Sequence, residues 1–381
     1  MPTAHAKLSA SSSHRWLECT RSAKLEEKFP NKSSSYADEG TKAHSLAEAL
    51  LRVYLGGNDG ADIEEASVLQ SECDKEMQDA IALYMDTCIE KINAARAISV
   101  DAITVVEKRL NFSPWVRDGF GTGDMVIIAD GIVEICDLKY GKGVPVSAEG
   151  NTQMRLYGLG AINEFDLLYD IKTVRMTIIQ PRLDSISTDE ISAKDLIAWG
   201  ETVVKPKAEL AFEGKGEFSA GDHCRFCRAK NVCRARAEKN LEIAKYEFKQ
   251  PEILEPTEIA DILHRIPELA KWIDDVKKYA LDQAVNHGAA WPGWKVVEGG
   301  SRRVYTDKGL AAAALLNAGY LSHEIFEDEL LSISALEKKF GKAKIADVLK
   351  AFITKPPGGP TLAPEEDKRP ALNSIIEDFG K

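Results

Sequence analysis

The 381-residue sequence has no run of about 18–20 uninterrupted apolar residues, so a membrane-spanning helix is excluded as an expectation. Its first twenty residues, MPTAHAKLSASSSHRWLECT, lack the basic-then-apolar layout of a secretory leader, which points to the cytoplasm. There is no internal repeat and no long low-complexity segment, so a solenoid is not expected. There is also no excess of basic charge. The formal net charge is -11, which disfavours nonspecific attraction to nucleic acid but leaves open a local basic patch. An even set of cysteines is missing too: the seven are Cys19, Cys73, Cys88, Cys136, Cys224, Cys227 and Cys233. An odd, scattered set argues for reduced thiols rather than a disulfide framework.

What is present is an ordinary globular composition, 44% hydrophobic and 29% charged, in a chain longer than one comfortable core. The pattern predicts an amphipathic helix over Ser34–Tyr54 carrying His44 and Glu48, and a second over Glu64–Arg96. Then come three short β-branched runs with an Ala129–Gly131 hairpin turn between the last two. A helix follows over NTQMRLYGLGAINEF, and a strand ending at Pro181. This order is that of an α/β core with a central mixed sheet flanked by helices. The cysteine-rich stretch HCRFCRAKNVC sits among Arg225, Arg228, Lys230, Arg234, Arg236 and Lys239, read equally well as a solvated helix start or as a phosphate-facing patch. Further on, helices are expected over 236–248 and 258–287, then a short hairpin in AAWPGWKVVEGGSRRVYTD, more helices and a Pro/Gly-rich tail. The boundary falls between 240 and 255, separating a domain over 1–245 from a mainly helical region over 246–381.

The residues with the clearest chemistry are Asp124, Asp137 and Lys139. In an antiparallel pair they can converge, since side chains alternate with period two. Two carboxylates suit Mg2+ or Mn2+, and a lysine beside them can orient or deprotonate a water and stabilise charge on a phosphate. The D-x-K spelling is weak alone, and it recurs at Asp170–Lys172 and Asp275–Lys277. Cys73, Cys88 and Cys136 read as core residues. Trp291, Trp294, Arg302, Arg303 and Tyr305 could stack on single-stranded DNA, but an aromatic hairpin packed on its own helices is the stronger reading.

The order His44, Gly121-x-x-Asp124, Asp137-x-Lys139 and Gln153-x3-Tyr157 resembles the RecB-like PD-(D/E)XK nucleases. With Cys19 before these motifs and C-x2-C-x5-C after them, it resembles in particular the iron-sulfur branch that includes AddB-type and CRISPR-associated exonucleases. The resemblance covers residues 8 to 240. It implies a restriction-endonuclease-like core, with His44, Asp124, Asp137 and the Leu138 carbonyl as Mg2+ or Mn2+ ligands and Asp124, Asp137 and Lys139 catalytic. Gln153 and Tyr157 would help place DNA, joined by Arg225, Arg228 and Lys230. Cys19, Cys224, Cys227 and Cys233 would hold a structural [4Fe-4S] cluster, four thiolates also suiting zinc. The chain departs from that pattern with Cys-Thr where relatives often have Cys-Pro, and with Asp137 where many have glutamate. The region beyond about 250 is similar to phage and prophage RecB-like nucleases, which implies a phage-encoded protein at work in the cytoplasm of a bacterial host. The expected activity is that of a divalent-metal-dependent deoxyribonuclease, an exonuclease on single strands or DNA ends. Its expected partners are DNA, a recombination or annealing protein and further copies of itself. The alternatives are a DNA-binding or assembly module that keeps the fold but cleaves poorly, and a zinc-stapled version.

Overall fold

The computed structural model describes residues 6–30, 35–56, 60–243 and 254–372. The chain divides into two compact units, Met1–Glu258 and Ile259–Lys381. No helix among the described residues is long and apolar enough to cross a membrane.

The first unit opens with short helices α1 (Ser13–Trp16) and α2 (Ser22–Glu26), then α3 (Ser35–Tyr54), α4 (Gly60–Ser71) and α5 (Lys75–Ile98). The single helix expected over Glu64–Arg96 is therefore two. The chain breaks before Asp74, whose carboxylate accepts from the Met77 amide at 2.8 Å and so starts a fresh helix. Strands β1 (Ile103–Asn111), β2 (Phe120–Ala129) and β3 (Ile132–Leu138) follow. Gly131, at φ 75°, makes the tight turn between β2 and β3. Helix α6 (Thr152–Tyr169) crosses over to β4 (Thr173–Gln180), and β5 (Ser185–Ser192) returns beside it. The sheet order is β1-β2-β3-β4-β5, antiparallel except for the parallel β3–β4 pair.

β5 was absent from the sequence reading. Its residues, SISTDEIS, are mostly polar and alternate between half-buried and exposed, because it is an edge strand recruited by backbone pairing to β4. Period-two alternation divides the core. Val126, Ile128, Val133 and Ile135 face α6 and the N-terminal segment with Leu8 and Trp16, while Met125, Ile127, Cys136 and Leu138 face α3 and α5. β3 is buried on both faces, which is why it reads as a continuous apolar run. Cys73, Cys88 and Cys136 lie in the second of these clusters, as expected of small apolar side chains. After β5 come α7 (Ala193–Trp199), α8 (Lys205–Glu213) and α9 (Arg234–Leu241); of the helix expected over 236–248, residues 244–248 lie outside the described ones.

Helix α10 (Pro256–His287) leads into the second unit. There the expected hairpin does not form. β6 (Trp294–Glu298) pairs with β9 (Pro360–Pro364), and β7 (Val304–Tyr305) pairs with β8 (Ile353–Thr354). Helices α11 (Lys308–Asn317), α12 (Ser322–Ile325), α13 (Ile333–Phe340) and α14 (Lys342–Val348) enclose a core of their own around Leu315, Leu336, Ile345 and Leu349. The Pro/Gly-rich stretch is thus a returning strand rather than a tail. Both prolines of β9 sit at its ends, where a missing N–H is tolerated. Trp291 donates to the Ala280 carbonyl, Tyr305 to the Leu331 carbonyl, and Arg303 grips Glu337 with two bonds of 2.7 and 2.6 Å. Their polar groups are spent inside the unit.

Candidate metal and nucleic-acid site

The β2–β3 register pairs Met125 with Cys136, which places Asp124 opposite Asp137, and the β1–β2 register likewise leaves Glu107 opposite Asp124. Three carboxylates from three neighbouring strands therefore stand in a row. Helix α3 adds His44, whose Nδ1 lies 3.4 Å from Asp124 Oδ1. His44, Glu107 and Asp124 each present a ligand atom within 4.8 Å of the others, so they can hold a metal ion. Asp124 Oδ2 accepts the Leu138 amide at 2.7 Å, which fixes the carboxylate against β3.

Asp137 is almost fully buried, and its Oδ2 lies 2.7 Å from Lys139 Nζ. That oxygen forms an ion pair but receives no hydrogen bond of regular geometry. Gln153, on the first turn of α6, locks the pair. Its Nε2 donates to Asp137 Oδ1 at 3.3 Å and to Tyr157 Oη at 3.0 Å, and its Oε1 accepts from Lys139 Nζ at 3.2 Å. Asn151 caps α6 through the Gln153 and Met154 amides, setting that turn in place. Gly121 of the G-x-x-D stretch is required by the same arrangement. A Cβ there would fall 2.5 Å from the Tyr157 ring. Gln153 and Tyr157 thus act on the carboxylate–lysine pair, and Tyr157 is buried away from solvent.

The electrostatics follow from this crowding. Burial would lower the His44 imidazole, but the Asp124 charge and hydrogen bond outweigh it and lift His44 to about 9. Burial, with Asp124 and Glu48 adding to it, pushes Glu107 up to about 7. Burial likewise raises the Asp137 carboxyl against the pull of Lys139. Burial alone would lower Lys139, yet Asp137 and Asp124 prevail and raise it, so the side chain is an ammonium at neutral pH. In that charged form the side chain can orient a water and stabilise negative charge on a phosphate.

Glu107 was missed in the sequence. The available signal was an acid interrupting the apolar run Ile103–Val106 on the strand before G-x-x-D. It also sits at φ 49°, a left-handed conformation unusual for glutamate, and such strain, about 1–3 kcal/mol, concentrates at functional sites. The two other D-x-K spellings gather no such company. Lys172 and Asp170 form an ion pair that is largely exposed, and Asp275–Lys277 lies within α10.

The four site cysteines also meet. Cys19, Cys224, Cys227 and Cys233 line one small pocket with Arg15 and His223, although Cys19 is some 200 positions away in sequence from the other three. The Ser219 amide points at Cys19 Sγ at 3.4 Å and the Gly221 amide at Cys224 Sγ at 3.5 Å, contacts that favour anionic sulfur. Burial pushes the Cys227 thiol up to about 12, so without a cation it is protonated. Of the basic residues around these cysteines, Arg236 is buried and cannot face a phosphate, whereas Arg225 and Arg228 are exposed. Lys230 lines the cysteine pocket and donates to the Arg225 carbonyl.

A family model spans nearly the whole chain, matching residues 5–370. The chain belongs to DUF2800, described as a protein family of unknown function. Among solved structures, the crystal structure of SSO0001 matches this DUF2800 chain at 14% identity, covering 58% of it and 96% of the other chain, with a TM-score of 0.21, too low to bear on the fold.

Proposed function

We propose that this chain is a divalent-metal-dependent DNA nuclease with a PD-(D/E)XK-type core, acting as an exonuclease on single strands or DNA ends. The observation that carries this reading is the meeting of Asp124, Asp137 and Lys139 at adjoining strand positions, with His44 and Glu107 completing a hard oxygen and nitrogen donor set. His44, Glu107 and Asp124 would hold Mg2+ or Mn2+, with Asp137 and the Leu138 carbonyl beside them. When bound, such an ion supplies positive charge to a phosphodiester and makes a coordinated water more acidic.

The chain's own groups do the rest. The Lys139 ammonium, fixed between Asp137 and Gln153, would stabilise negative charge growing on a phosphate bound beside the carboxylates. Gln153 orients both partners, and Tyr157 orients Gln153. Cys19, Cys224, Cys227 and Cys233 would hold a [4Fe-4S] cluster that joins the start of the unit to its end, a placement that suits a staple rather than electron transfer. The phage-type recombination setting, a recombination or annealing partner and self-association rest on the sequence resemblance.

The test is cleavage of end-labelled single-stranded and duplex DNA with Mg2+ or Mn2+, alongside binding measured in EDTA. The expected result is metal-dependent cleavage by the wild type and none by Lys139→Ala, with binding retained. A wild type that binds DNA and never cuts it would leave the chain a binding or assembly module.

A further inference from the structure

We propose that a pocket between the N-terminal segment and the turn at Phe226–Arg228 is a nucleotide subsite for single-stranded DNA, taking one backbone phosphate and the base next to it. This rests on the nuclease reading for the identity of the ligand. The pocket measures about 430 Å3, within the range of about 300–1,000 Å3 usual for small-ligand sites. Its wall carries Lys7, Ser9, Ser11, Ser12, Arg15 and Arg228.

The hydroxyls are gathered rather than scattered. Ser9 Oγ lies 3.2 Å from Ser11 Oγ and 2.9 Å from Ser12 Oγ, and Ser12 donates to the Ser9 carbonyl at 3.1 Å, so the three hydroxyls form one small polar cluster on the wall. Opposite stands Glu26, a buried carboxylate that organises the cations. It accepts Arg15 Nε at 3.3 Å and the Arg228 amide at 2.7 Å, with Arg228 Nε at 4.0 Å. The terminal nitrogens of Arg15 have no hydrogen-bond partner among the described residues. Lys7, Arg15 and Arg228 stand against Glu26 and against Glu27, which meets Lys7 at 3.3 Å, leaving an excess of one positive charge; Lys7 also donates to the Phe212 carbonyl at 3.0 Å and Arg228 to the Phe29 carbonyl at 3.1 Å. In a chain of net charge -11, this local excess is what an anion would find.

The base-binding half is Phe226. Its side chain is 54% exposed, its ring is braced edgewise by His14 at 6.0 Å, and the Arg225 guanidinium lies 5.5 Å from the ring centre. An aromatic plate beside phosphate donors is the combination that single-stranded nucleic acid uses and a free inorganic anion does not need. The pocket is also joined to the carboxylate cluster. Ser13, within the same segment, bonds Thr152 at 2.6 Å, and Thr152 precedes the Gln153 that holds Asp137 and Lys139. The segment that lines the pocket thus abuts the first turn of α6, which carries Gln153.

The experiment is fluorescence anisotropy with a labelled oligothymidylate of about 15 nucleotides, in EDTA and across a salt series. The proteins are wild type, Phe226→Ala, Phe226→Ala/Arg228→Gln and Ser11→Glu. The double variant should weaken binding about 10- to 100-fold and flatten the salt slope by about 0.7 per lost phosphate contact. Ser11→Glu, at a position that does not line the cysteine pocket, should weaken it in the same direction. Unchanged melting temperature and metal content show that the fold survives. Unchanged affinity and salt slope in the double variant and in Ser11→Glu would overturn the subsite, as would inorganic phosphate competing fully at the same site while Phe226→Ala has no effect. Because binding is read without metal, a wild type that binds through this pocket but never cleaves would sink the nuclease reading and leave the subsite standing.

Discussion

The carboxylate site and the cysteine site both gather metal-type donors, and they do so by opposite chain geometries. Glu107, Asp124 and Asp137 come from three consecutive strands, so antiparallel register alone brings them side by side. Cys19 and the trio Cys224, Cys227 and Cys233 come from the two ends of the first unit and meet only when the whole unit has folded. The first site also holds crowded charge. His44 at about 9, Glu107 at about 7 and the strained Glu107 backbone mark a place where folding alone would not put these groups. The second presents four thiols, those of Cys19, Cys224 and Cys227 buried, and two of them face backbone amides. Locally assembled charge suits turnover of a substrate, whereas a long-range link of soft donors suits closure of a domain.

That comparison can be broken at either site. Asp124→Asn should reduce cleavage by about 10^2- to 10^3-fold or more while the cysteine-bound metal stays unchanged, checked by end-point cleavage and metal analysis. Cys227→Ser should do the reverse. It should cost about 3 kcal/mol or more, a fall of roughly 6–12 °C in melting temperature, with activity per folded molecule close to wild type. A Cys227→Ser protein with full stability and full metal content would end the staple reading.

Glu107→Gln should weaken Mn2+ binding by about 10- to 100-fold, measured by titration. The same site sets a pH dependence. Both His44 and Glu107 have folded values above their ordinary ones, so each favours folding in its protonated form. Metal-free stability from His44 is present below about 6.5 and lost as pH rises through about 9, and that from Glu107 is lost through about 7. Metal ligation needs the opposite states, so Mn2+ affinity should climb over this window. The smallest effect expected is from Gly121→Ala. The added methyl must displace the Tyr157 ring, costing about 1–3 kcal/mol and lowering turnover through Gln153.

The parts of the fold that could be read from sequence were those with strong local pattern. β2 and β3 show through their apolar runs, α6 through its Asn151 cap and helical spacing, and Asp124, Asp137 and Lys139 through strand alternation. β5 could not be read, because an edge strand needs only backbone pairing and SISTDEIS carries no apolar period. The pairing of β6 with β9 failed for a different reason. Its partners lie more than sixty residues apart, and a local hairpin is the default reading of two nearby runs. Glu107 escaped because its role depends on register across β1 and β2, which no single stretch displays. The meeting of Cys19 with the distant trio came only from family resemblance, since spacing says nothing about a partner two hundred residues away.

The proposed division between a hydrolytic site and a structural one is tested most directly by metal analysis of anaerobically purified wild type, Asp124→Asn and Cys227→Ser, with Mn2+ binding followed by electron paramagnetic resonance and sulfur-bound iron by visible absorption. The account predicts that Asp124→Asn loses the bound Mn2+ and keeps the broad sulfur-to-iron band, with about four irons per chain, and that Cys227→Ser loses the band while its folded fraction still binds Mn2+. Loss of both signals in each variant, or a wild type that binds no Mn2+ at all, would contradict it.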